Sequence, residues 1–281
     1  MSIERPALYV VATPLGNLGD LSPRARSTLT DVDLVACEDT RTTKRLCAHA
    51  GIHTRLLAVH EHNEQARAVE LVARIATETL AVALVSDAGT PLISDPGYRL
   101  VQAAHEAGVP VLAVPGPSAP VAALSISGLP TDRFVFEGFL PAKAAARRAR
   151  LELLIHEPRT LVFFESCHRI AATLADMARA FSPARPACLT RELSKLHEQA
   201  VNADLGQLAG WIEDGTIAAR GEFVIVVGGG EPADAGDTAR RMLAAILPHM
   251  PVKAAARATS TVTGLKVNEL YVLAQEVKDA D

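Results

Sequence analysis

Ala83-Leu84-Val85-Ser86-Asp87-Ala88-Gly89-Thr90-Pro91-Leu92-Ile93-Ser94-Asp95-Pro96-Gly97 is the stretch on which the fold turns. It begins inside an apolar run, the pattern of a strand buried on both faces. The run stops at Ser86-Asp87. Residues 88–97 are dense in Gly, Pro, Asp, Ser and Thr, which form tight turns and expose backbone N–H groups. Pro96 then opens a helical pattern, with Ser94 or Asp95 as its cap. The turn-rich span exceeds the about 2–6 residues of an ordinary strand–helix connection. In parallel α/β sheets ligands sit at the carboxyl tips of strands. The segment reads as a ligand loop with an acid, Asp87, at its entrance.

Outward from this loop, strands and helices alternate. Residues 7–13, 33–38, 56–60, 81–87 and 109–115 are short apolar strand candidates. Helical patterns over 63–77 and 96–107, and one opened by Ser22-Pro23, separate them. The rhythm implies a doubly wound parallel sheet. Turn-rich loops at 13–22, 86–97 and 115–118 all come after strands of that sheet, so they converge on one edge and frame a small-ligand cleft. The first of them is not GxGxxG, and no GxxxxGK[ST] occurs, which disfavours dinucleotide and triphosphate binding.

Pro115-Gly116-Pro117-Ser118-Ala119-Pro120 breaks the rhythm, with Ser118 placed to cap a helix over 119–127. Beyond it, residues 134–140, 161–166, 187–193 and 222–227 are β-like, with helices around 143–156 and 166–181. A smaller mixed sheet is expected. Gly228-Gly229-Gly230 reads as a linker. Helices over 237–247, 252–259 and 265–277 come after it. The expected domains are 1–117, 118–230 and a small helical module at 234–281.

Composition narrows the function. An apolar fraction of 49% rules out disorder. No apolar run approaches the ~20 residues of a membrane span, and Met1 to Pro6 lack a secretory pattern. Cys37, Cys47, Cys167 and Cys188 stand apart without CxxC, as expected of reduced thiols in a cytoplasmic protein. A net charge of −4 leaves any nucleic-acid binding to local patches. His60 and His62, at i, i+2, point oppositely in a strand and do not suggest a metal site.

Several blocks jointly carry a resemblance. They are Thr13-Pro14-Leu15-Gly16-Asn17-Leu18-Gly19-Asp20, Glu38-Asp39-Thr40-Arg41, Ser86-Asp87-Ala88-Gly89-Thr90-Pro91 and Pro115-Gly116-Pro117-Ser118-Ala119. With them go His60-Glu61-His62-Asn63-Glu64, Phe136-Glu137-Gly138-Phe139-Leu140-Pro141, Phe163-Phe164-Glu165-Ser166, Thr190-Arg191-Glu192-Leu193-Ser194-Lys195 and Gly264-Leu265-Lys266-Val267-Asn268-Glu269-Leu270-Tyr271. The set resembles the tetrapyrrole methylase superfamily, and within it the small-subunit ribosomal RNA 2′-O-ribose methyltransferase I family. Each block is weak alone; their joint order along nearly the whole chain is specific.

The resemblance implies a two-domain α/β fold of the class III methyltransferase type, S-adenosylmethionine as methyl donor and a working homodimer. It implies a cytidine ribose in the decoding region of small-subunit ribosomal RNA, or the 30S particle, as acceptor. At the cofactor the candidates are Pro14, Asp87, Gly89, Thr90, Pro115, Ser118, Ala119 and Phe164, with Asp87 as a donor-side carboxylate near the cofactor's ammonium or ribose and Ser118 as a hydrogen-bonding partner. Superfamily members that methylate porphyrins and corrins commonly carry Gly-Asp-Pro where this chain has Ser86-Asp87-Ala88, which weakens the alternative of a tetrapyrrole-like substrate. A third reading is a ribosome-associated RNA-binding protein without catalysis.

Residue chemistry supplies the acceptor side. Methyl transfer from a sulfonium needs no metal but does need alignment, and a ribose hydroxyl benefits from a base. Glu165 and Lys195, each near a strand end, are the candidates for that base. Arg41, Lys44, Arg45, Arg147, Arg148, Arg169 and Arg191 are candidates for RNA phosphate contacts, since Arg suits bidentate phosphate binding. On a helix Lys143, Arg147 and Arg150 share one face.

Overall fold

The computed structural model describes residues 3–59, 64–231 and 234–280. In chain order, β1 (Ala7–Val11), α1 (Pro23–Asp31), β2 (Leu34–Cys37), α2 (Thr40–Ala50) and β3 (Leu56–Ala58) come first. Then come α3 (Glu64–Thr77), β4 (Ala81–Val85), α4 (Tyr98–Glu106), β5 (Val111–Val114) and α5 (Ala119–Ile126). Sheet order is β3-β2-β4-β1-β5, with every pairing parallel. Leu29, Val35, Cys47 and Val85 pack on one face, and Leu8, Leu71, Ile75, Leu84 and Leu100 on the other. Burial on both faces is why these strands lack polar alternation. The doubly wound parallel sheet expected from the sequence is present.

Local chemistry sets the helix starts. The Ser22 hydroxyl accepts from the Ala25 N–H ahead of Pro23, and the Asp39 carboxylate accepts from the Arg41 N–H at 2.8 Å. α4 corrects the sequence reading, because neither Ser94 nor Asp95 caps it. Gly97 holds the cap position at φ +128, so the chain turns later than the Pro96 signal suggests. The cap comes from another element: Oε1 of buried Glu64 accepts from the N–H groups of Gly97 (3.0 Å) and Arg99 (2.8 Å).

The chain continues through β6 (Phe134–Phe139), α6 (Ala144–Glu152), β7 (Thr160–Ser166), α7 (Ile170–Phe181) and β8 (Pro186–Arg191). β9 (Gln199–Asp204), α8 (Leu205–Glu213) and β10 (Glu222–Val227) complete a second sheet, ordered β6-β7-β10-β8-β9. β6 runs parallel to β7 and the remaining pairings are antiparallel, so the sheet is mixed as expected. Leu151, Phe163, Leu174, Leu208 and Phe223 fill one face, and α5 covers the other through Ala123 and Leu124. β9 is absent from the sequence expectation. Its sequence, Gln-Ala-Val-Asn-Ala-Asp, is polar because an edge strand with one partner needs no apolar run.

Both sheets lie in one compact unit, residues 1–155 with 159–228. A second unit, residues 156–158 with 229–281, contains α9 (Ala235–Ile246), α10 (Val252–Thr263) and α11 (Val267–Ala280). Its core is Ala239, Leu243, Ala255, Ala256, Leu270 and Ala274. Four of these six are alanine, which lets the helices approach closely. Among the described residues no helix is long and apolar enough to cross a membrane.

Candidate functional site

β4, β1 and β5 are neighbours, so the loops that leave their carboxyl ends are neighbours too. They are tied to one another. Thr13 and Gly89 exchange backbone hydrogen bonds at 2.8 and 3.1 Å, and the Thr90 hydroxyl donates to the Pro117 carbonyl at 2.9 Å. They bound a cleft of about 460 Å³, within the about 300–1,000 Å³ typical of small-ligand sites. Its other wall comes from the second sheet: Phe139, Phe164, Glu165 and the start of β10. Phe136 and Phe139 stand edge-on to Phe164, with ring centroids at 5.0 and 5.6 Å, making that wall apolar.

Two glycines let the walls close. A Cβ at Gly16 would lie 2.4 Å from Cγ of Lys195, so the loop after β1 passes directly beneath that side chain. Gly138, at φ +63 in the β6 bulge, faces Oγ of Ser94 with room for no more than a 3.1 Å contact. The Ser194 hydroxyl donates to the Asp20 carboxylate beside the first of these contacts.

Of the residues assigned to the cofactor, Gly89, Thr90, Ser118, Ala119 and Phe164 line the cleft. Pro14, Asp87 and Pro115 belong to the loops that frame it but do not line it. Oδ1 of Asp87 instead accepts from the Asp39 N–H at 3.1 Å, joining the loops after β2 and β4. Burial pushes its carboxyl above the ordinary value, the nearby Asp39 charge adds to this, and that hydrogen bond opposes it. Ser118 sits at the N-cap of α5 but makes no side-chain cap bond, so its hydroxyl is not spent on the helix as the sequence suggests.

The two base candidates are both engaged. Glu165 is 2% exposed. Its carboxylate accepts from the Ser166 N–H (2.7 Å), Arg169 Nε (2.8 Å) and the Thr173 hydroxyl (2.7 Å). All of these donors lie at the end of β7 or the start of α7. Nζ of Lys195 donates to Glu192 (2.9 Å) and Glu222 (2.7 Å). Burial alone would lower the Lys195 ammonium, but those two carboxylates outweigh it and hold the pKa above its ordinary value. Three donors hold the Glu165 carboxylate in place, and the Lys195 ammonium, between two carboxylates, has no lone pair with which to accept a proton.

The basic candidates separate. Arg41, Lys44 and Arg45 are exposed on α2, at the same sheet edge as the cleft; Arg41 also pairs with Asp39 at 2.7 Å. Arg169 pairs with Glu165, and Arg191 Nε donates to the Arg220 carbonyl at 2.6 Å. Both lie where β7 and β8 end beside the start of β10. Arg147 is a further correction: it is buried and bound to Asp176, whereas Arg148 reaches the same carboxylate from a half-exposed position. Arg150 pairs with Glu137, so the expected face of Lys143, Arg147 and Arg150 is not an open basic stripe.

Sequence reasoning missed Leu15, Asp95, Phe139 and Glu222 as lining residues. Asp95 stands inside the ligand loop but reads as a cap; Glu222 opens a strand with no motif around it. All four cysteines are free thiols, and burial pushes Cys188 up to about 11, in keeping with a core residue. Among the described residues no cluster of metal-ligating side chains occurs. His60 and His62 lie outside the described residues.

Comparison with known proteins divides the chain in the same way. Residues 7–209 match the family model of tetrapyrrole (corrin/porphyrin) methylases, and residues 232–278 match the RsmI C-terminal HTH domain. Proteins named ribosomal RNA small subunit methyltransferase I are closely similar. The one from Xylella fastidiosa is 51% identical, covering 94% of this chain and 97% of that protein. The one from Pseudomonas aeruginosa is 49% identical, covering 94% and 95%. Among solved structures the fold is similar to that of Thermus thermophilus uroporphyrin-III C-methyltransferase complexed with S-adenosyl homocysteine. That match has TM-score 0.54 and 22% identity, over 79% of this chain and 97% of that one. Diphthine synthase gives TM-score 0.59 at 15% identity, over 79% and 90%.

Proposed function

Because the chain belongs to the ribosomal RNA small subunit methyltransferase I family of the tetrapyrrole methylases, we propose that it methylates a ribose 2′-hydroxyl of a cytidine in the decoding region. It is an S-adenosylmethionine-dependent methyltransferase of small-subunit ribosomal RNA. The observation that carries this is identity of about half the residues along almost the whole chain, tail included. The small-molecule reading loses support from Ser86-Asp87-Ala88 in place of Gly-Asp-Pro and from the second compact unit.

The cleft fits such a donor. It has the volume of a small-ligand site, turn backbone at Gly89 and Thr90, the uncommitted Ser118 hydroxyl and an aromatic wall. Bound there, the donor supplies a methyl group already activated on a sulfonium. Backbone groups at Gly89 and Thr90 and the Ser118 hydroxyl bind and orient it, with Pro14, Asp87 and Pro115 shaping the loops. Phe164, braced by Phe136 and Phe139, excludes water. The residues' work is chiefly alignment of the reactants.

On the acceptor side, Arg41, Lys44 and Arg45 reach the RNA backbone from α2, with Arg169 and Arg191 at the rim of the second sheet. Lys195 remains a cation that holds Glu192 and Glu222 in place. Arg148 is a further phosphate contact, while Arg147 holds α6 to α7. We also propose the 30S particle as substrate, a homodimer, a cytoplasmic location and the division 1–117, 118–230 and 234–281.

The test is transfer of tritium from labelled S-adenosylmethionine to small-subunit RNA, followed by alkaline hydrolysis. Label in alkali-resistant dinucleotides is expected, because a methylated 2′-oxygen cannot attack the adjoining phosphate. Label released in mononucleotides would place the methyl group on a base and overturn the ribose assignment.

A further inference from the structure

We infer that Phe139 is the stacking platform for the nucleobase of the acceptor nucleotide, holding that nucleotide with its ribose toward the donor. The inference rests on the ribose reading proposed for the same cleft. Phe139 lines the cleft and is 55% exposed. Its ring meets that of Phe164 at 5.6 Å in an edge-to-face arrangement, which fixes it from one side. Phe136 and Phe164 pack against the apolar cluster beneath α5, whereas Phe139 stays open to the cleft.

The backbone of β6 aims this ring. In a regular strand residues 136 and 139 would face opposite sides of the sheet. Here Phe136 pairs with Val162, Gly138 with Phe163 and Phe139 with Phe164, so Glu137 is the extra residue of a bulge. Val162 and Phe164 share one face of β7, and Phe136 and Phe139 therefore share it too. Val135 and Leu140 pack on the other face. Gly138, at φ +63, permits the turn, and Arg150 holds the displaced Glu137 by both carboxylate oxygens at 2.7–2.9 Å. Without the extra residue Phe139 would turn away from the cleft. Bulges beside active sites commonly re-aim a side chain in this way. The donor-side groups Gly89, Thr90 and Ser118 belong to loops of the parallel sheet, and Phe139 stands on the opposite wall. RNA nucleotides outside a duplex are recognised with the base splayed out and stacked on an aromatic side chain. A phenyl ring offers a π face and no hydrogen-bonding group, so it holds the base without selecting it.

The experiment compares wild type, Phe139→Leu and Phe139→Tyr on 30S particles. Calorimetry measures S-adenosylmethionine affinity and light scattering the association state. Phe139→Leu keeps an apolar side chain but has no ring. It should lower kcat/KM for the particle by about 5- to 150-fold, the range for loss of one stacked base. Donor affinity should stay within about twofold of wild type, with the association state unchanged. Phe139→Tyr restores the π face and should recover most of the rate. A loss in Phe139→Leu smaller than about fivefold would overturn the inference, as would a Phe139→Tyr as impaired as Phe139→Leu. Donor affinity that falls in step with the rate would give the ring to the donor instead, and a changed association state would make it a subunit contact; either result overturns the inference. A wild-type protein that labels base rather than ribose would overturn the ribose reading and this inference together, whereas a ribose-labelling wild type with an active Phe139→Leu sinks the inference alone.

Discussion

Arg147 donates to Asp176 at 2.8 Å, and both side chains are only 6% exposed. Buried pairs of this kind are costly to break because the remaining charge has no solvent. Arg147→Ala should therefore destabilise the protein by about 3–5 kcal/mol. Arg148→Ala, at a half-exposed partner of the same carboxylate, should cost far less. Urea unfolding of the two variants measures the difference. Equal small losses would show that Asp176 is satisfied without Arg147.

RNA attraction in a chain of net charge −4 must be local. Lys44 and Arg45 are exposed on α2, at the cleft edge of the parallel sheet. Lys44→Glu with Arg45→Glu should weaken RNA binding and reduce the slope of log affinity against log salt by about 1.4–1.8 for two lost contacts. Donor affinity should not change. An unaltered salt slope would return these residues to the role of a solvated helix face.

Much of this architecture is legible in the sequence because parallel strands buried on both faces leave uninterrupted apolar runs, and the runs that frame the cleft end in Gly, Pro and Asp. The convergence of the loops comes from that alone. The illegible parts depend on distant partners. Glu165 and Lys195 look like free reactive groups in sequence, but three donors from the end of β7 and the start of α7 hold the first and two carboxylates surround the second. Arg147 looks like surface charge until Asp176, on another helix, is brought against it. Asp95 reads as a cap because nothing local shows that Glu64 has taken that task. β9 escapes notice because its residues, Gln-Ala-Val-Asn-Ala-Asp, form no apolar run.

Glu64 offers a separable test of loop positioning. Both bonds to Gly97 and Arg99 use the same oxygen, Oε1. Glu64→Gln keeps a carbonyl oxygen there, whereas Glu64→Ala leaves two helix N–H groups without an acceptor. Loss of such a cap costs about 0.5–2 kcal/mol. We expect Glu64→Ala to lose stability by that amount and to bind S-adenosylmethionine more weakly, and Glu64→Gln to recover most of both. Equal behaviour of the two variants would assign the effect to charge rather than to the hydrogen bonds.

The Asp39 cap predicts a pH dependence. The hydrogen bond from the Arg41 side chain, with that from its backbone N–H, lowers the Asp39 carboxyl from the ordinary 3.8 to about 2. A group depressed on folding stabilises the native state fully above its unfolded pKa. That contribution disappears as pH falls from about 4 through about 2. Asp39→Asn, which retains a capping oxygen but no charge, should show less loss of thermal stability than wild type across this window. Parallel curves for the two proteins over the same acid range would remove Asp39 from the acid response.

The second unit is compact by itself, with its own small core of Ala239, Leu243, Ala255, Ala256, Leu270 and Ala274. It also matches the RsmI C-terminal HTH domain as a separate segment. A chain ending at Gly230 should therefore fold, bind S-adenosylmethionine and dimerise. Its methylation of 30S particles should fall sharply, because the helical unit is expected to help dock the large substrate. Circular dichroism, calorimetry, light scattering and tritium transfer read these properties in turn. Loss of cooperative unfolding or of the dimer would make the unit structural. Undiminished methylation of the particle would remove it from substrate docking altogether.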